Sequence, residues 1–409
     1  MTKKIKTVLT IAVMVFASHF SFAGATEDLW TALKGANYPN ALSAIAAGAD
    51  VKNLDASFGT PLNFASCWAD ANVVKALIDA KSEVNFVAPA NGFTPLINAA
   101  YWGNVEAVKL LLAAGADITI KSKTGQSILS IVVVACKLEV IKLLVAAGAD
   151  PKEKYSMGAL KNLTLLNTLV MGNEPEDLIK YYKGLVTPMA NLAVTFPPHI
   201  LNAQSSDFNT LEEITVYLLD KGLDPNQEVR KGYGILMQFL DFGKTGAAKA
   251  LIEHGATAEF DEKNGFDIKD KRGDASKLPN FRFSNGDYVL AAVLTNNFEF
   301  VKLMVDKYPK LIKKIYKGSG TVKCSGASTN YEAKGINLLM VAADNGNIDI
   351  VNYLISKGAG RGDAVEIKQF KQDKFCPMFS TMFTMGFARN SGNQQVIDAV
   401  KASGFGKEK

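Results

Sequence analysis

The stretch NGFTPLINAAYWGNVEAVKLLLAAGAD, residues 91–117, decides the fold of this chain. Thr94-Pro95 is typical of a helix start, because a proline in the first turn lacks only an N–H that would have no partner there. Apolar residues then recur at helical spacing, and Gly115 follows them, where glycine permits the left-handed conformation that ends many helices. The stretch therefore predicts a pair of short helices that begins and ends at defined residues.

Elements of this stretch return with a period of about 33 residues. The Gly-Ala-Asp triplet that ends it also begins at Gly48 and Gly148, which lie 67 residues before and 33 residues after Gly115. The missing member falls at Lys81, and Gly222 and Gly255 are again 33 residues apart. One helix pair cannot bury its apolar face alone, so a fixed period indicates units that stack into an array.

With these motifs the sequence resembles the ankyrin-repeat family. The unit from Asn91 to Asp117 is close to a full match, and Thr60 to Asn85, Gly125 to Asp150 and Lys334 to Gly360 also match. The resemblance implies an all-α solenoid of about ten helix-turn-helix units, several degenerate, with inserted loops. The predicted divisions are a signal peptide (1–25), N-terminal repeats (26–154), degenerate repeats (155–258), an inserted loop (259–284), and C-terminal repeats with inserted loops and a cap (285–409).

Three polar segments, residues 258–284, 311–334 and 361–378, interrupt the period and are predicted to be loops or extended turns. Asn264-Gly265 in the first of them favours a hairpin extension. These insertions are either solvent-exposed loops without a binding role or segments that contact a partner, and both interpretations are open. The same two interpretations apply to a local basic run, Lys307, Lys310, Lys313, Lys314 and Lys317.

Residues 1–25 have the pattern of a secretory signal peptide, in which three lysines precede an apolar run and small residues allow cleavage after Ala23 or Ala25. The alternative is an uncleaved anchor, but the apolar run is shorter than the roughly 20 residues that span a bilayer. Removing Lys3, Lys4 and Lys6 lowers the formal charge from +5 to +2, which excludes a strong field for nucleic acid or an anionic membrane. We therefore expect a periplasmic or secreted protein without a nucleic-acid partner and without stable membrane insertion after cleavage.

Export to an oxidising compartment permits disulfides. Cys324 and Cys376 lie in two insertions that flank one repeat, so we predict a disulfide between them. Cys67 and Cys136 lie on first helices two units apart, which is too far for a bond that needs Cα atoms within about 7 Å. These two are predicted to be buried thiols.

Residues for catalysis or metal binding are scarce in this sequence. Of the three histidines, His19 lies in the predicted signal peptide, and His199 and His254 have ordinary structural explanations at helix ends. There is no phosphate-binding loop and no nucleophile elbow. We therefore expect no catalytic residues, no metal and no cofactor; an enzyme is the alternative from another class.

The family resemblance implies that variable positions on a concave face select a protein partner. These are the two residues after the Ala-Ala pair and the residue before Thr-Pro, and here they hold Tyr101, Trp102 and Phe93, with Trp68 in the preceding unit. Aromatic residues that face solvent are enriched at binding hot spots. We predict that these four side chains form the partner site; packing against neighbouring repeats is the alternative.

Two binding roles follow from the resemblance: a scaffold or regulator of an exported protein, or an immunity protein that neutralises a toxin in the periplasm. In either role we expect a monomer with one unidentified protein partner. The corresponding positions of a late repeat hold Asp344 and Asn345, which are polar. Binding is therefore expected to be polarised toward the N-terminal repeats.

Overall fold

The computed structural model describes residues 24–157, 160–170, 210–230, 233–257, 266–269, 282–324, 327–359, 366–370, 388–389 and 391–404. The chain divides into two compact units, Met1–Leu223 and Asp224–Lys409, here called unit 1 and unit 2. Both units contain short helices that follow one another in pairs, so the predicted all-α repeat class is confirmed.

Unit 1 contains the repeats that match the family best. A short antiparallel hairpin, β1 (Tyr155–Met157) and β2 (Leu160–Leu163), interrupts its helices. In chain order the helices are α1 (24–34), α2 (Tyr38–Ala46), α3 (Pro61–Trp68), α4 (Ala71–Asp79), α5 (Pro95–Trp102), α6 (Val105–Ala113), α7 (Ile128–Val133), α8 (Leu138–Ala146), α9 (Leu165–Val170) and α10 (Leu211–Asp220).

First helices pack on first helices and second helices on second helices. Thus α3 contacts α5 and α5 contacts α7, while α4 contacts α6 and α6 contacts α8. The buried positions repeat with the period, as Leu62, Leu96 and Leu129 show on successive first helices. Buried alanines such as Ala65 and Ala99 let neighbouring first helices approach closely. The core is therefore a continuous strip along the array.

Most of the described helices begin at a side chain that satisfies a free backbone N–H group. Thr94 precedes α5, and its Oγ1 accepts a hydrogen bond from Ile97 N at 3.2 Å. Asn104 precedes α6, and its Oδ1 accepts from Ala107 N at 3.2 Å. The Nδ2 of Asn104 also donates to Ala69 O, 3.1 Å away in the preceding repeat. One asparagine therefore caps its own helix and fastens it to its neighbour.

One turn after a second helix is fastened to the next repeat in the same way in each unit. In unit 1, Asn85 Nδ2 donates to Gly115 O at 3.3 Å, and Asp117 N donates to Asn85 Oδ1 at 2.8 Å. In unit 2, Asn226 forms the same two bonds with Gly255 O at 3.2 Å and Thr257 N at 2.7 Å. The recurrence of this clamp shows that the degenerate repeat that begins at residue 224 keeps the geometry of the regular ones.

Unit 2 has its own helix pairs. Its first helices contact one another, since α13 (Tyr288–Leu294) lies against α11 (Ile235–Asp241) and α15 (Leu338–Asn345). Its second helices do the same, since α14 (Phe298–Lys307) lies against α12 (Thr245–Glu253) and α16 (Ile348–Ser356). A short hairpin, β3 (Glu228–Arg230) and β4 (Tyr233–Gly234), precedes the first helix, and a 3-10 turn spans Pro309–Lys313. The helices are α11 (Ile235–Asp241), α12 (Thr245–Glu253), α13 (Tyr288–Leu294), α14 (Phe298–Lys307), α15 (Leu338–Asn345), α16 (Ile348–Ser356) and α17 (Gln394–Ala402).

The three insertions of unit 2 contribute to one antiparallel sheet. Its strands are β5 (Phe266–Lys269), β6 (Arg282–Gly286), β7 (Tyr316–Cys324), β8 (Ala327–Ile336) and β9 (Glu366–Phe370), in that spatial order. The prediction of loops in these segments, including 259–284, is wrong wherever the strands lie. The reason is that β6 pairs with β7, and β8 with β9, across 32 to 40 residues of sequence, and no local signal in a polar, glycine-containing stretch reveals such a pairing.

The hairpin expected in the first insertion forms with a different connection. β5 pairs with β6 through Phe266↔Gly286 and Lys269↔Arg282, so residues 270–281 join the two strands. Asn264-Gly265 lies outside the described residues and comes before β5 in the sequence, so it does not join these two strands. A two-residue turn motif therefore did not predict the register of this hairpin.

Candidate functional site

A row of aromatic side chains crosses three neighbouring first helices of unit 1. Trp30 of α1 contacts Phe64 of α3, with ring centroids 6.0 Å apart. Phe64 contacts Trp68 at 5.6 Å, and Trp68 contacts Trp102 of α5 at 4.8 Å. Tyr101 lies against Trp102 at 5.6 Å. All four contacts are edge to face, the arrangement that aromatic quadrupoles favour. We call these five residues the aromatic row.

Trp68 does not face solvent, which corrects the sequence-based interpretation of this residue. Its side chain is 5% exposed, between Phe64 on its own helix and Trp102 on the next. Trp68 is the last residue of α3, and the neighbouring repeat covers this position. The hydroxyl of Tyr38 donates to Trp68 O at 3.1 Å, and burial together with the charge of Asp70 raises the pKa of Tyr38 to about 12. The alternative interpretation, packing against neighbouring repeats, is the correct one for Trp68.

Phe93, Tyr101 and Trp102 are each half-buried, so part of each ring is accessible. Phe93 belongs to a turn whose backbone is held from two sides: its carbonyl accepts from Ala88 N at 2.9 Å and from Asn63 Nδ2 at 3.2 Å. Asn63 is itself fully buried on α3. The turn that presents Phe93 is therefore fixed to the preceding repeat. Partner binding by these three residues stays a prediction.

Two exposed apolar residues that the sequence analysis did not single out lie beside this site. Three first helices of unit 1, α3, α5 and α7, are each preceded by a tight turn, here called a finger; the fingers span residues 55–59, 88–93 and 122–126. Leu54 and Val87 directly precede the first two fingers and are 56% and 46% exposed. Their spacing of 33 residues was the signal that could have identified them.

The corresponding residue before the third finger is Lys121, which forms an ion pair of 2.6 Å with Glu153. The exposed apolar positions are therefore confined to the first two fingers of these three. An apolar partner surface would therefore contact Leu54 and Val87. At the third finger it would meet the Lys121–Glu153 ion pair.

Lys34 fastens the first finger to α1. Its Nζ lies 2.9 Å from Asp55 Oδ2, 5.5 Å from the Trp30 ring and 5.7 Å from the Phe58 ring. Burial raises the pKa of Asp55, but the hydrogen bond and charge of Lys34 and the N–H of Ser57 outweigh it and hold that pKa below its usual value. The finger is therefore held in place by an ion pair enclosed by two aromatic faces.

Unit 2 contains an exposed aromatic residue at the position that corresponds to Trp102. Trp102 stands two residues before Asn104, the N-cap of α6, and Phe242 stands two residues before Lys244, the N-cap of α12. The Phe242 side chain is 56% exposed. In the later repeat, Asp344 is buried and Asn345 Nδ2 donates to Val293 O, so these two positions contribute to packing.

Cys67 and Cys136 are free thiols, as predicted. Cys136 is buried, and Cys67 is half-buried with its Sγ 3.6 Å from Asn63 O. Burial raises the pKa of the Cys67 thiol. Cys324 is the last residue of β7, and Cys376 lies outside the described residues, so the disulfide between them stays a prediction.

Among the residues that the structure describes, no group of three or more His, Cys, Asp or Glu side chains is placed to hold a metal ion. Within the same ranges, every helix is too short or too polar to cross a membrane.

Comparison with known proteins agrees with the geometry of the helix pairs. Residues 29–122 match the family model described as ankyrin repeats (3 copies), and residues 334–361 match a second model, described as an ankyrin repeat. The first match contains the aromatic row and the first two fingers, and the second contains α15 and α16. A search of curated proteins finds no match. The chain therefore contains ankyrin repeats in these two ranges.

Proposed function

We propose that this chain is an exported interaction module whose unit 1 binds a protein partner through its first helices and fingers. Ankyrin-repeat proteins typically act as non-enzymatic interaction modules. The observation that carries the proposal is the exposure of Leu54 and Val87 at matching positions of neighbouring fingers. A contiguous exposed apolar surface marks an interaction site, and we infer that Leu54 and Val87 on neighbouring fingers belong to one such surface.

The half-buried aromatic residues support the same surface. Phe93, Tyr101 and Trp102 lie on the second finger and on α5, the helix that follows it, and each keeps part of its ring accessible. Tyrosine and tryptophan are over-represented among residues that dominate binding energy. Their packing within the array holds them in one conformation, which lowers the entropy that binding must overcome.

The charges at the fingers favour an apolar contact over an electrostatic one. Asp55 is paired with Lys34, and Lys121 is paired with Glu153. Each pair brings opposite charges together, so these groups leave little net field at the fingers. We therefore expect an affinity that depends weakly on ionic strength.

Export to the periplasm is part of the proposal and rests on the pattern of residues 1–25. The partner is then another exported protein, or, in the alternative role, a toxin that this chain neutralises. Both roles use the same surface, so identifying the bound protein separates them.

The test is capture of partners from a periplasmic extract, followed by titration of the purified partner with variants. A Leu54→Ala, Val87→Ala double variant is expected to weaken binding at least tenfold, because each exposed side chain contributes roughly 1 kcal/mol or more at a contact. Its thermal unfolding should be unchanged, since both side chains are largely exposed. Phe242→Ala, an exposed aromatic of unit 2, is the matched control and should bind as the parent does.

The proposal fails if the double variant folds and binds the partner as tightly as the parent. If Phe242→Ala weakens binding and the double variant does not, the partner contacts unit 2. Either result would remove unit 1 as the principal surface.

A further inference from the structure

The sheet in unit 2 joins elements that are far apart in the sequence. β6 precedes α13, β7 and β8 lie between α14 and α15, and β9 follows α16. β6 pairs with β7 through Arg282↔Ser319 and Phe283↔Gly318. β8 pairs with β9 over five consecutive residue pairs, from Asn330↔Phe370 to Lys334↔Glu366. Backbone hydrogen bonds therefore run across two helix pairs in succession.

One end of the central hairpin is attached to the first of these helix pairs. Asp287 is 1% exposed and caps α13, its Oδ1 accepting from Leu290 N at 2.8 Å. Its Oδ2 accepts from the Tyr316 hydroxyl at 2.8 Å and lies 3.1 Å from Lys314 Nζ. Burial and the charge of Asp287 raise the pKa of Tyr316 well above its usual value, so the hydroxyl remains a donor. The first residue of β7 is thus fixed to the start of α13.

The second strand of the hairpin, β8, leads into the second helix pair. Tyr316 pairs with Ile336 and Lys317 with Lys334, which leaves Gly335 as an extra residue with φ +91°. A residue in this region is typical of a bulge that turns a strand, and glycine adopts it without strain. Asn337 follows at once and caps α15, its Oδ1 accepting from Met340 N at 2.9 Å. β8 therefore continues into α15 without a flexible connection.

From these contacts we propose that the three insertions form a strap that makes α13–α14 and α15–α16 open and unfold as one cooperative unit. In an ordinary repeat array, neighbours are coupled only through their shared interface, so one repeat can open before its neighbour where that interface is weak. Here α15 cannot leave α13 without separating β7 from β8 or withdrawing Tyr316 from Asp287. Leaving the Asp287 carboxylate buried without its donor opposes that separation.

Native-state amide hydrogen exchange of the full-length protein tests the strap. In increasing urea, the slowest amides of α13, β7, β8 and α15 should converge on one free energy of opening with one urea dependence. The proposal is overturned if strand amides exchange through an opening that leaves α13 and α15 protected, because the sheet would then not couple the two helix pairs. It is also overturned if α15 opens at lower urea than α13.

A pair of tyrosine variants provides a second measurement. Tyr316→Phe removes the hydroxyl that donates to Asp287 and should raise exchange of the slow amides in both α13 and α15 by the same factor, roughly tenfold. The matched control is Tyr353→Phe, whose accessible hydroxyl donates to Asp306 Oδ1 at 2.9 Å and takes no part in the sheet. The control should change those rates less than twofold. Faster exchange in β7 alone after Tyr316→Phe would contradict the strap.

Discussion

The indole of Trp102 meets the buried indole of Trp68 edge to face, with ring centroids 4.8 Å apart and planes at 89°. Trp102 therefore packs between repeats and also stays partly accessible to a partner. The sequence does not distinguish these two contributions. Trp68 has only the first. Any binding experiment on the aromatic row must separate these two contributions, since a variant that loosens the array also weakens binding indirectly.

Trp102→Ala should lower the free energy of unfolding by about 2 kcal/mol, because a half-buried indole and its contact with Trp68 are lost together. Urea denaturation followed by circular dichroism measures this change. Leu54→Ala is the control and should stay within about 0.5 kcal/mol of the parent, since Leu54 is mostly exposed. Equal stability of the two variants would show that Trp102 contributes little to packing.

Lys81→Gly should stabilise unit 1 by about 0.5–1 kcal/mol, because a residue with a Cβ is strained in the left-handed region. Lys81 has φ +64°, whereas Gly48, Gly115 and Gly148 occupy the same position of neighbouring repeats with φ between +84° and +100°. Thermal unfolding of the variant measures the gain.

The matched control for Lys81→Gly is Gly115→Ala. A Cβ at Gly115 would meet no atom within 4 Å, so its cost comes from the backbone alone. This variant should lose about 1 kcal/mol. A stabilising effect of Gly115→Ala would contradict the explanation offered for both positions.

The exported protein should begin at Gly24 and not at Thr26. Ala25 is 7% exposed inside α1, and Thr26 Oγ1 accepts a hydrogen bond from Asp50 N at 2.8 Å. Cleavage after Ala25 would remove a buried residue and place a charged amino group on Thr26. Intact-mass measurement of periplasmic material decides between the two sites, and a mass that includes Met1 would contradict cleavage altogether.

A disulfide between Cys324 and Cys376 should form in the exported protein, while Cys67 and Cys136 stay reduced. Thiol alkylation before and after reduction, followed by mass spectrometry, should show two labelled cysteines without reductant and four with it. In the chain-entropy model, closing a loop of this length stabilises by on the order of 3–4 kcal/mol. Four labelled cysteines without reductant would exclude the bond.

Local sequence signals predicted the helix pairs and their ends correctly. Thr94-Pro95 and Gly115 act through hydrogen bonds and backbone angles within a few residues, so each can be recognised from its neighbours alone. The period then predicted that units stack, because a single helix pair leaves its apolar face uncovered. The partner surface was predicted less well, since Trp68 matches a variable position and yet is covered by the next repeat.

By itself, the sequence determined the repeat class, the positions of the caps and the free state of Cys67 and Cys136. Only the tertiary structure decided that Trp68 is buried and that Leu54 and Val87 are exposed at matching positions of two repeats. It also decided that three polar insertions contribute to one sheet. The physical reason is distance along the chain. A cap or a turn is satisfied by residues a few positions away, whereas β7 finds its backbone partners in β6 more than 30 residues earlier, and Tyr316 finds Asp287 29 residues earlier. Burial and strand pairing depend on segments that meet only in the folded protein, so they cannot be predicted from any one segment alone.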